Sequence, residues 1–388
     1  MATTEEPYPF LFLSANTPWV YALAEALGHE APVRAVRFYD WRTYWRNQPE
    51  WPAPDPESDI TRTLRVLPTG YAGTLEWAAR PFMQWMIDGG RRALRERTGT
   101  EPYVVVPYPY LAPWVRNVPD ERLIYYNLDA YTRYRPGRAD QIRENEAELV
   151  ERAALTICLA QHQVEAFRSR HPDRAEQIRH FPLGVVDAFL NPAPEEAPTD
   201  GTVTYVGNMS DRVDWSLVDA VTATCADLQF RFVGGVEESK QNHSWQNARA
   251  RVLDRANVEA VGRVPQDEVV NYYWASSVNW IPYDPEHPFN VASCPTKIMD
   301  GLASGRPLVS TPVPECTLYP EWIDLANTPE EMVEVLRSRA RGFDAEQGRR
   351  QVERVRKHTW PHRATELRRL LGEKPPSAVA SERDDQRA

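Results

Sequence analysis

Lysine is scarce in this sequence: only four of the 388 residues are lysines, so arginine supplies nearly all of the positive charge. Acidic residues outnumber basic ones by 55 to 45, which gives a formal net charge of -10. This balance disfavours a nucleic-acid partner and a broad membrane-binding face, and at most a peripheral membrane contact is expected. Any phosphate must be bound locally, so a lysine inside a motif is a candidate ligand for it.

Cysteine is also rare, and the four cysteines are scattered without a CxxC pair or a histidine-rich partner segment. Neither a zinc site nor a disulfide framework is predicted from such spacing. The amino-terminal residues carry no basic segment, and the first apolar run, residues 10–13, is too short for a signal sequence or a membrane span. We therefore expect a cytoplasmic protein with reduced thiols.

Apolar material is ample, because hydrophobic residues make up 42% of the chain and 13 residues are tryptophan. The length favours two domains. Strand-like runs at 10–13, 33–38, 103–106, 123–126 and 155–159 alternate with helical or irregular sequence, as a parallel α/β sheet requires. The segment 41–56, rich in Trp, Pro and Arg, has no clear period and is interpreted as a loop insertion whose aromatic residues either pack beneath it or stack on sugar rings.

A second alternation begins after the Pro-rich, acidic stretch 191–201, which is typical of a linker. Strands are predicted at 203–206, 229–233, 257–261, 278–282 and 308–310, with helices at 215–226, 266–276, 298–303 and 329–339 between or after them. The sequence predicts a first α/β domain at 1–189, a linker at 190–201 and a second α/β domain at 202–358. A helix at 359–372 and a disordered tail at 373–388 follow.

The strongest local signal follows the strand at 278–282. Pro295 suits the first turn of a helix that Ser293 can cap, so backbone N–H groups there are expected to face an anion. Lys297 adds a full charge beside that anion, and Asp300, three residues on, is expected to reach ribose hydroxyls. The alternative interpretation of Lys297 and Asp300 is a surface ion pair.

Residues 202–326 resemble the nucleotide-sugar-binding domain of GT-B glycosyltransferases, in particular the family 4-like group and the xanthan-type glucuronosyltransferase. The similar segments are Y-V-G-N-M at 205–209, F-V-G at 232–234, N-V to Gly262 at 257–262, W-I-P-Y at 280–283 and S-x-P-x-K-x-x-D-x-L-A-x-G-x-P-L-V-S-T at 293–311. In the first half, 123–129 and 181–187 are similar to the family's segments before the hinge. The resemblance implies an α/β fold of the GT-B type, with two Rossmann-like domains facing each other across a cleft. It also implies that the domain at 1–189 binds the acceptor and that the domain at 202–358 binds the nucleotide sugar.

The resemblance also implies the residues of the donor site. Lys297 and the amides of Ser293 and Cys294 would hold the diphosphate, and Asp300 would bind ribose. Met209 and Tyr283 would contact the nucleotide, and Arg263 with Val264 would meet the base. Together with the loop residues, the candidates are Gly207, Met209, Arg212, Arg263, Val264, Tyr283, Asn290, Ser293, Cys294, Lys297 and Asp300. The family's first glutamate falls here on Ala292, which leaves the donor sugar open.

The implied activity is a hexosyltransferase that uses a UDP-, GDP- or dTDP-linked sugar and a saccharide, lipid-linked or small-molecule acceptor in polysaccharide or glycoconjugate biosynthesis. No cofactor and no metal are expected, because Lys297 and helix dipoles can stabilise the departing diphosphate. Asp129 is the candidate base if the reaction inverts the anomeric centre, and it binds an acceptor hydroxyl or caps the following segment if the reaction retains it. Two alternatives are a sugar-nucleotide epimerase of the same fold and a non-catalytic nucleotide-sugar-binding protein.

Overall fold

The computed structural model describes residues 8–53, 55–69, 76–195, 198, 201–237 and 243–372. The predicted tail at 373–388 and part of the predicted linker at 190–201 lie outside the described residues. The chain divides into two compact units: the first comprises Met1–Tyr126, Glu144–Thr156 and Pro361–Ala388, and the second comprises Asn127–Arg143 and Ile157–Trp360. The domain boundaries proposed from the sequence stay predictions.

Two sheets organise the described chain. The strands of the first are β1 (Phe10–Phe12), β2 (Val33–Asp40), β3 (Ile60–Leu67), β4 (Tyr103–Val106), β5 (Leu123–Asn127), β6 (Leu155–Cys158) and β7 (Ile178–His180). Their order is β3-β2-β1-β4-β5-β6-β7, and β1 pairs in parallel with both β2 and β4. The strands of the second are β8 (Thr202–Val206), β9 (Gln229–Val233), β10 (Val258–Gly262), β11 (Val278–Ile281), β12 (Leu308–Ser310) and β13 (Asp324–Leu325). Their order is β10-β9-β8-β11-β12-β13, and β8 pairs in parallel with β9 and β11.

Fourteen α-helices lie among the described residues. Those before β8 are α1 (Pro18–Gly28), α2 (Trp41–Asn47), α3 (Glu76–Thr98), α4 (Tyr131–Tyr134), α5 (Ala139–Arg152) and α6 (Gln161–Arg170). Those after β8 are α7 (Trp215–Thr224), α8 (Ser244–Leu253), α9 (Val269–Trp274), α10 (Pro288–Ala292), α11 (Lys297–Ala303), α12 (Pro329–Arg341), α13 (Ala345–Arg356) and α14 (Trp360–Leu370). None of the described helices has the length and apolar content to cross a bilayer.

Central strands are continuous apolar runs because both of their faces are covered. Every residue of β1, β4 and β5 is buried, which is the pattern of strands in the middle of a parallel α/β sheet. The sequence predicted these strands to within one residue at each end. It missed the edge strand β3, where threonine and arginine alternate with aliphatic residues and only Leu67 is buried.

The segment predicted as a loop insertion at 41–56 instead begins with helix α2. Asp40 explains the helix start, because its carboxylate accepts hydrogen bonds from the Thr43 backbone N–H at 3.0 Å and the Thr43 hydroxyl at 2.6 Å. The helix is short and has no buried residue, so hydrophobic periodicity could not reveal it. Among the aromatic side chains of residues 41–56, Trp51 has its ring centroid 4.1 Å from the guanidinium carbon of Arg37, whereas Trp41 and Trp45 are exposed.

Aromatic side chains in the core that packs against the second sheet hold the loop after β8 in place. Trp215, at the start of α7, is buried against Phe232 of β9 and donates from its indole N–H to the Ser210 carbonyl at 2.7 Å. Ser210 lies in the loop between β8 and α7. The core thus fixes the loop that follows the carboxyl end of the central strand β8.

Candidate functional site

A cationic and aromatic site lies beyond the carboxyl ends of β8 and β11. Lys297, the first residue of α11, places its Nζ 5.0 Å from the ring centroid of Tyr283 and 5.6 Å from that of Tyr205. Tyr205 lies near the end of β8, and Tyr283 follows β11 directly. Loops at the carboxyl ends of parallel strands are where open α/β sheets bind ligands.

Gly207 makes room for the lysine. Its φ is 147°, and a Cβ atom built on it would lie 2.5 Å from Cε and 2.6 Å from Nζ of Lys297. Gly234, after β9, has a φ of 145° and would place a Cβ atom 2.1 Å from the Gly207 carbonyl oxygen. Because two glycines meet here, the loop after β8 can lie directly beside the Lys297 side chain.

Arg212 is the second cation of the site, and it is held in a fixed position. Its Nε donates to Asn290 Oδ1 and its Nη2 donates to Ser293 Oγ, each at 2.8 Å. Asn290 is fully buried, and its amide donates to the carbonyls of Arg212 and Asp284, each at 2.8 Å. The guanidinium carbon of Arg212 lies 5.1 Å from the Tyr283 ring centroid, so Arg212 and Lys297 converge on one aromatic ring.

The two cations change the acidity of the buried tyrosines. Burial favours the neutral phenol of Tyr283, but the charges of Lys297 and Arg212 outweigh it and lower the pKa of that side chain. Burial, reinforced by neighbouring Tyr283, raises the pKa of Tyr205 well above its usual value. The lowered pKa of Tyr283 reflects the two positive charges beside its ring, and such charges attract an anionic ligand.

Asp300 lies one helical turn after Lys297 and is half-buried. Burial raises its pKa to about 7, although the nearby charge of Lys297 acts in the opposite direction. The carboxyl is therefore partly protonated near neutral pH. A group in this state can either donate or accept a hydrogen bond.

The helix start at this site differs from the prediction. The sequence suggested that Ser293 caps a helix beginning near Pro295, but Ser293 ends the preceding helix α10, and α11 begins at Lys297. The Ser293 hydroxyl donates to the Phe289 carbonyl of α10 at 2.5 Å and accepts from Arg212, so it does not cap the start of α11. The residue at a helix start is instead Pro288, in the first turn of α10.

Asp129, the candidate base, lies in the same compact unit as Arg212. Its Oδ2 accepts a hydrogen bond from the Tyr134 hydroxyl at 2.5 Å, and its Oδ1 accepts one from the Ala130 backbone N–H at 2.8 Å. Burial raises the pKa of Asp129 overall. The hydrogen bonds from Tyr134 and Ala130, and then the charge of Arg212, act in the lowering direction.

Tyr134 links the Asp129 carboxylate to helix α10, and the sequence analysis did not single this residue out. Its ring centroid lies 4.9 Å from that of Phe289 in α10, while its hydroxyl donates to Asp129. Phe289 stands four residues before Ser293 and accepts that residue's hydroxyl at its carbonyl. The only available signal was the tyrosine's position five residues after the predicted base.

The remaining predicted residues lie in the loops after β8 and β10 and between α10 and α11. Met209 has no exposed surface and packs in the core, where its carbonyl accepts from Arg249 at 2.7 Å. Arg263 and Val264 follow β10, and the Arg263 guanidinium lies over Gly235, where a Cβ atom would come within 2.5 Å of Nε. Cys294 is half-buried between α10 and α11. The structure thus assembles Gly207, Arg212, Tyr283, Asn290, Ser293 and Lys297 around one point, with Asp300 adjoining.

Both the fold and the sequence have relatives among known proteins. Structures similar to this chain include HepE of Anabaena in complex with UDP and glucose, with a TM-score of 0.66 and 13% identity over 95% of this chain and 100% of that one. The catalytic domain of starch synthase IV from Arabidopsis thaliana, bound to ADP and acarbose, has a TM-score of 0.63 and 9% identity over 94% and 99% of the two chains. These likenesses confirm the predicted GT-B fold of two Rossmann-like α/β domains.

The sequence comparisons narrow the class. Residues 212–369 match a family model described as "Glycosyl transferase-like". TuaH of Bacillus subtilis strain 168 is named as a glycosyltransferase of teichuronic acid biosynthesis. It is 24% identical to this chain over 185 residues, which are 46% of this chain and 45% of TuaH. The match thus spans about half the length of that relative. The fold is thus that of GT-B glycosyltransferases, and residues 212–369 resemble a glycosyl transferase family, as the motifs indicated.

Proposed function

We propose that this protein is a hexosyltransferase that binds a nucleoside-diphosphate sugar at the Lys297 and Arg212 site and transfers the sugar to a hydroxyl of an acceptor. The observation that carries the proposal is the convergence of both cations on the ring of Tyr283. The field they produce is strong enough to lower the pKa of this buried phenol. The donor is a substrate, and no cofactor is part of the proposal.

In this proposal the two cations neutralise the diphosphate and stabilise it as it departs. Lys297 acts as a mobile point charge, and Arg212, fixed by Asn290 and Ser293, acts as a preorganised donor. Charge stabilisation by protein groups supports transfer without a metal. The amides of Ser293 and Cys294 are proposed as further phosphate contacts, Asp300 as the ribose contact, and Arg263 with Val264 as neighbours of the base.

UDP is the nucleotide we propose to test first. HepE, which shares the fold, was solved with UDP and with UDP-glucose. TuaH is named for teichuronic acid biosynthesis, and we therefore place the acceptor in polysaccharide or glycoconjugate biosynthesis. The four cysteines are all free thiols, which supports a reducing, cytoplasmic location.

Asp129 is proposed as the base that takes the proton from the acceptor hydroxyl. A raised pKa suits this role, because a carboxylate that is a stronger base removes a proton more effectively at neutral pH. This role implies inversion at the anomeric carbon. Product analysis decides the point: inverted product supports Asp129 as the base, and retained product assigns it to binding an acceptor hydroxyl.

The test of the donor site compares Lys297→Ala with Lys357→Ala. Lys357 is exposed at the end of α13 and serves as the matched control for loss of one lysine. We expect UDP affinity, measured by calorimetry, to fall by roughly tenfold or more in Lys297→Ala, which is the loss of one charge-assisted contact of about 1.5–3 kcal/mol. Unchanged UDP, GDP and dTDP affinity in a folded Lys297→Ala protein would contradict the proposal.

A panel of UDP-, GDP- and dTDP-sugars separates transfer from the alternatives. Slow release of free sugar without acceptor is expected of a transferase. Conversion of one nucleotide sugar into another would identify an epimerase. Saturable binding with no turnover under any condition would identify a non-catalytic binding protein.

A further inference from the structure

A row of aromatic side chains crosses from helix α4 to helix α10. Within α4, the ring centroids of Tyr131 and Tyr134 lie 6.4 Å apart. Tyr134 then contacts Phe289 of α10 at 4.9 Å, and the Phe289 ring lies 6.0 Å from that of His287, the N-cap of the same helix. All of these residues belong to the second compact unit. Together they are called the aromatic row.

Packing in a core does not explain the aromatic row. Helix α4 has no buried residue, and Tyr134 is 57% exposed. In α10 the usual order is reversed, because the polar Asn290 is buried whereas its neighbour Phe289 is only half-buried. Asn290 holds Arg212 from this buried position. The row therefore presents aromatic surface to solvent, and a ligand can cover that surface.

The row borders the carboxylate of Asp129. The Tyr134 hydroxyl donates to Oδ2 of Asp129 at 2.5 Å, and the Ala130 backbone N–H donates to Oδ1. A carboxylate oxygen can accept two hydrogen bonds. Asp129 can thus accept a further hydrogen bond from an acceptor hydroxyl, both as a base and as a binding group. An acceptor held in this way lies beside the Tyr134 ring.

At its other end the row adjoins the donor site. The Phe289 carbonyl accepts from the Ser293 hydroxyl, which in turn accepts from Arg212. Burial raises the pKa of Asp129 and the charge of Arg212 acts against it, so the guanidinium and the carboxylate lie within electrostatic range of each other. Transfer requires the acceptor to lie between the proposed base and the proposed diphosphate contact. The aromatic row supplies the surface there.

A pyranose ring matches this surface chemically. Its hydroxyls lie around the rim and its C–H groups form an apolar face, and C–H groups are attracted to the negative face of an aromatic ring. Tyr134 and Phe289 can cover the C–H face while Asp129 accepts from a rim hydroxyl. An alkyl alcohol also supplies a hydroxyl, but its flexible chain loses more conformational entropy on binding than a rigid ring does.

We propose that the aromatic row is the acceptor subsite of this protein, and that it selects a saccharide by stacking one pyranose ring on Tyr134 and Phe289. The attacking hydroxyl of that ring binds to Asp129. The inference rests on the proposed function, because Asp129 and Arg212 locate the acceptor. It extends that function by assigning the class of acceptor and the two residues that determine it.

Saturation-transfer difference NMR on the full-length protein with UDP tests the proposal. The probes are the methyl pyranosides of glucose, galactose, mannose and N-acetylglucosamine, with hexanol and cyclohexylmethanol as alcohols that lack a pyranose ring. We expect saturation of the C–H protons of at least one pyranoside and of neither alcohol. Tyr134→Ser and Phe289→Ser are each expected to weaken pyranoside binding by about fivefold or more, because each removes one ring.

Conservative variants separate the ring from the rest of the side chain. Tyr134→Phe and Phe289→Tyr keep a ring at each position and are expected to bind the pyranoside within about twofold of the wild type. Phe82→Ser removes an aromatic side chain that is 47% exposed in the first unit, and it is expected to behave like the wild type. Tyr134 lies on a helix without buried residues, so Tyr134→Ser is expected to fold, which circular dichroism checks.

Equal pyranoside binding by the wild type and Tyr134→Ser would overturn the proposal. Binding of the alcohols without binding of any pyranoside would overturn it too, because the row would then take an apolar acceptor. Calorimetry with nucleoside diphosphates on the wild type separates this proposal from the proposed function. UDP binding without any pyranoside signal refutes the acceptor subsite alone, whereas absence of UDP, GDP and dTDP binding refutes the proposed function and the subsite with it.

Discussion

The hydroxyl of Tyr134 donates a hydrogen bond to the carboxylate of Asp129 at 2.5 Å, and the same tyrosine's ring packs on Phe289 at 4.9 Å. Asp129 is the proposed base, and Phe289 belongs to the helix that precedes Lys297. The tyrosine therefore lies between the group that accepts a proton and the segment that carries the donor-site residues. Its position makes it a positioning residue for Asp129.

Removal of this hydrogen bond should shift the pH profile of transfer. The bond lowers the pKa of Asp129, so Tyr134→Phe is expected to raise that pKa. Because the base must be deprotonated, the acidic limb of kcat/KM should move to higher pH, by about one unit or less since Tyr134 is 57% exposed. Tyr272→Phe, a half-buried tyrosine of the same unit, is the control. A profile that does not move, or moves to lower pH, would contradict the role.

Replacement of the base itself should separate chemistry from binding. Asp129→Asn keeps one oxygen, which can accept the hydrogen bond from Tyr134 or the one from Ala130, but the amide cannot take a proton. We expect kcat to fall by about 10²- to 10⁴-fold, with UDP affinity unchanged. Single-turnover kinetics and calorimetry measure the two quantities. If transfer proceeds at the wild-type rate, Asp129 is not the base.

The carboxyl of Asp300 should make stability depend on pH. Its pKa is about 7 in the folded protein, above the value of about 4 expected of an unfolded aspartate. A group whose folded pKa is raised binds its proton more tightly when folded, so the contribution of Asp300 to stability is complete below about pH 4 and is lost as pH rises through about 7. Asp300→Asn is therefore expected to raise Tm more at about pH 8 than at about pH 5. Equal gains at both values would show that Asp300 is ionised normally in the folded state.

Gly207 should tolerate no side chain. An alanine there would adopt a φ of 147° and meet Lys297 at 2.5 Å, so we expect Gly207→Ala to weaken UDP binding and to destabilise the fold by about 1–3 kcal/mol. Gly262→Ala is the control for backbone strain alone, because Gly262 has a φ of 84° with no atom within 4 Å of its added Cβ. Thermal unfolding and calorimetry on both variants report the two effects. Equal UDP affinity in the two variants would contradict the proposed closeness of Gly207 to the phosphate-binding lysine.

Sequence reasoning failed where burial did not accompany secondary structure. Helix α2 has no buried residue, and the edge strand β3 has one, so neither leaves a hydrophobic pattern to detect. Helix α3 was also not predicted, although its buried residues Met83, Ile87, Gly90 and Leu94 recur at helical spacing.

The sequence by itself indicated most of the second sheet and the resemblance to GT-B glycosyltransferases. Strands β8, β9, β11 and β12 are short apolar runs bounded by glycine or proline, and the loop motifs after them are local in the chain. Apolar periodicity and turn residues act over a few positions, so a reader of the sequence can recover them. Lys297 and Gly207 were identified in this way.

Only the tertiary structure decided which of these residues meet. Arg212 bonds to Asn290 and Ser293 across 78 and 81 positions of chain, and Tyr134 reaches Phe289 across a longer separation still. It also showed that the Met209 side chain is buried in the core. Contacts of this kind depend on how the loops at the strand ends are packed, and packing is set by the shapes of many side chains at once rather than by any local pattern.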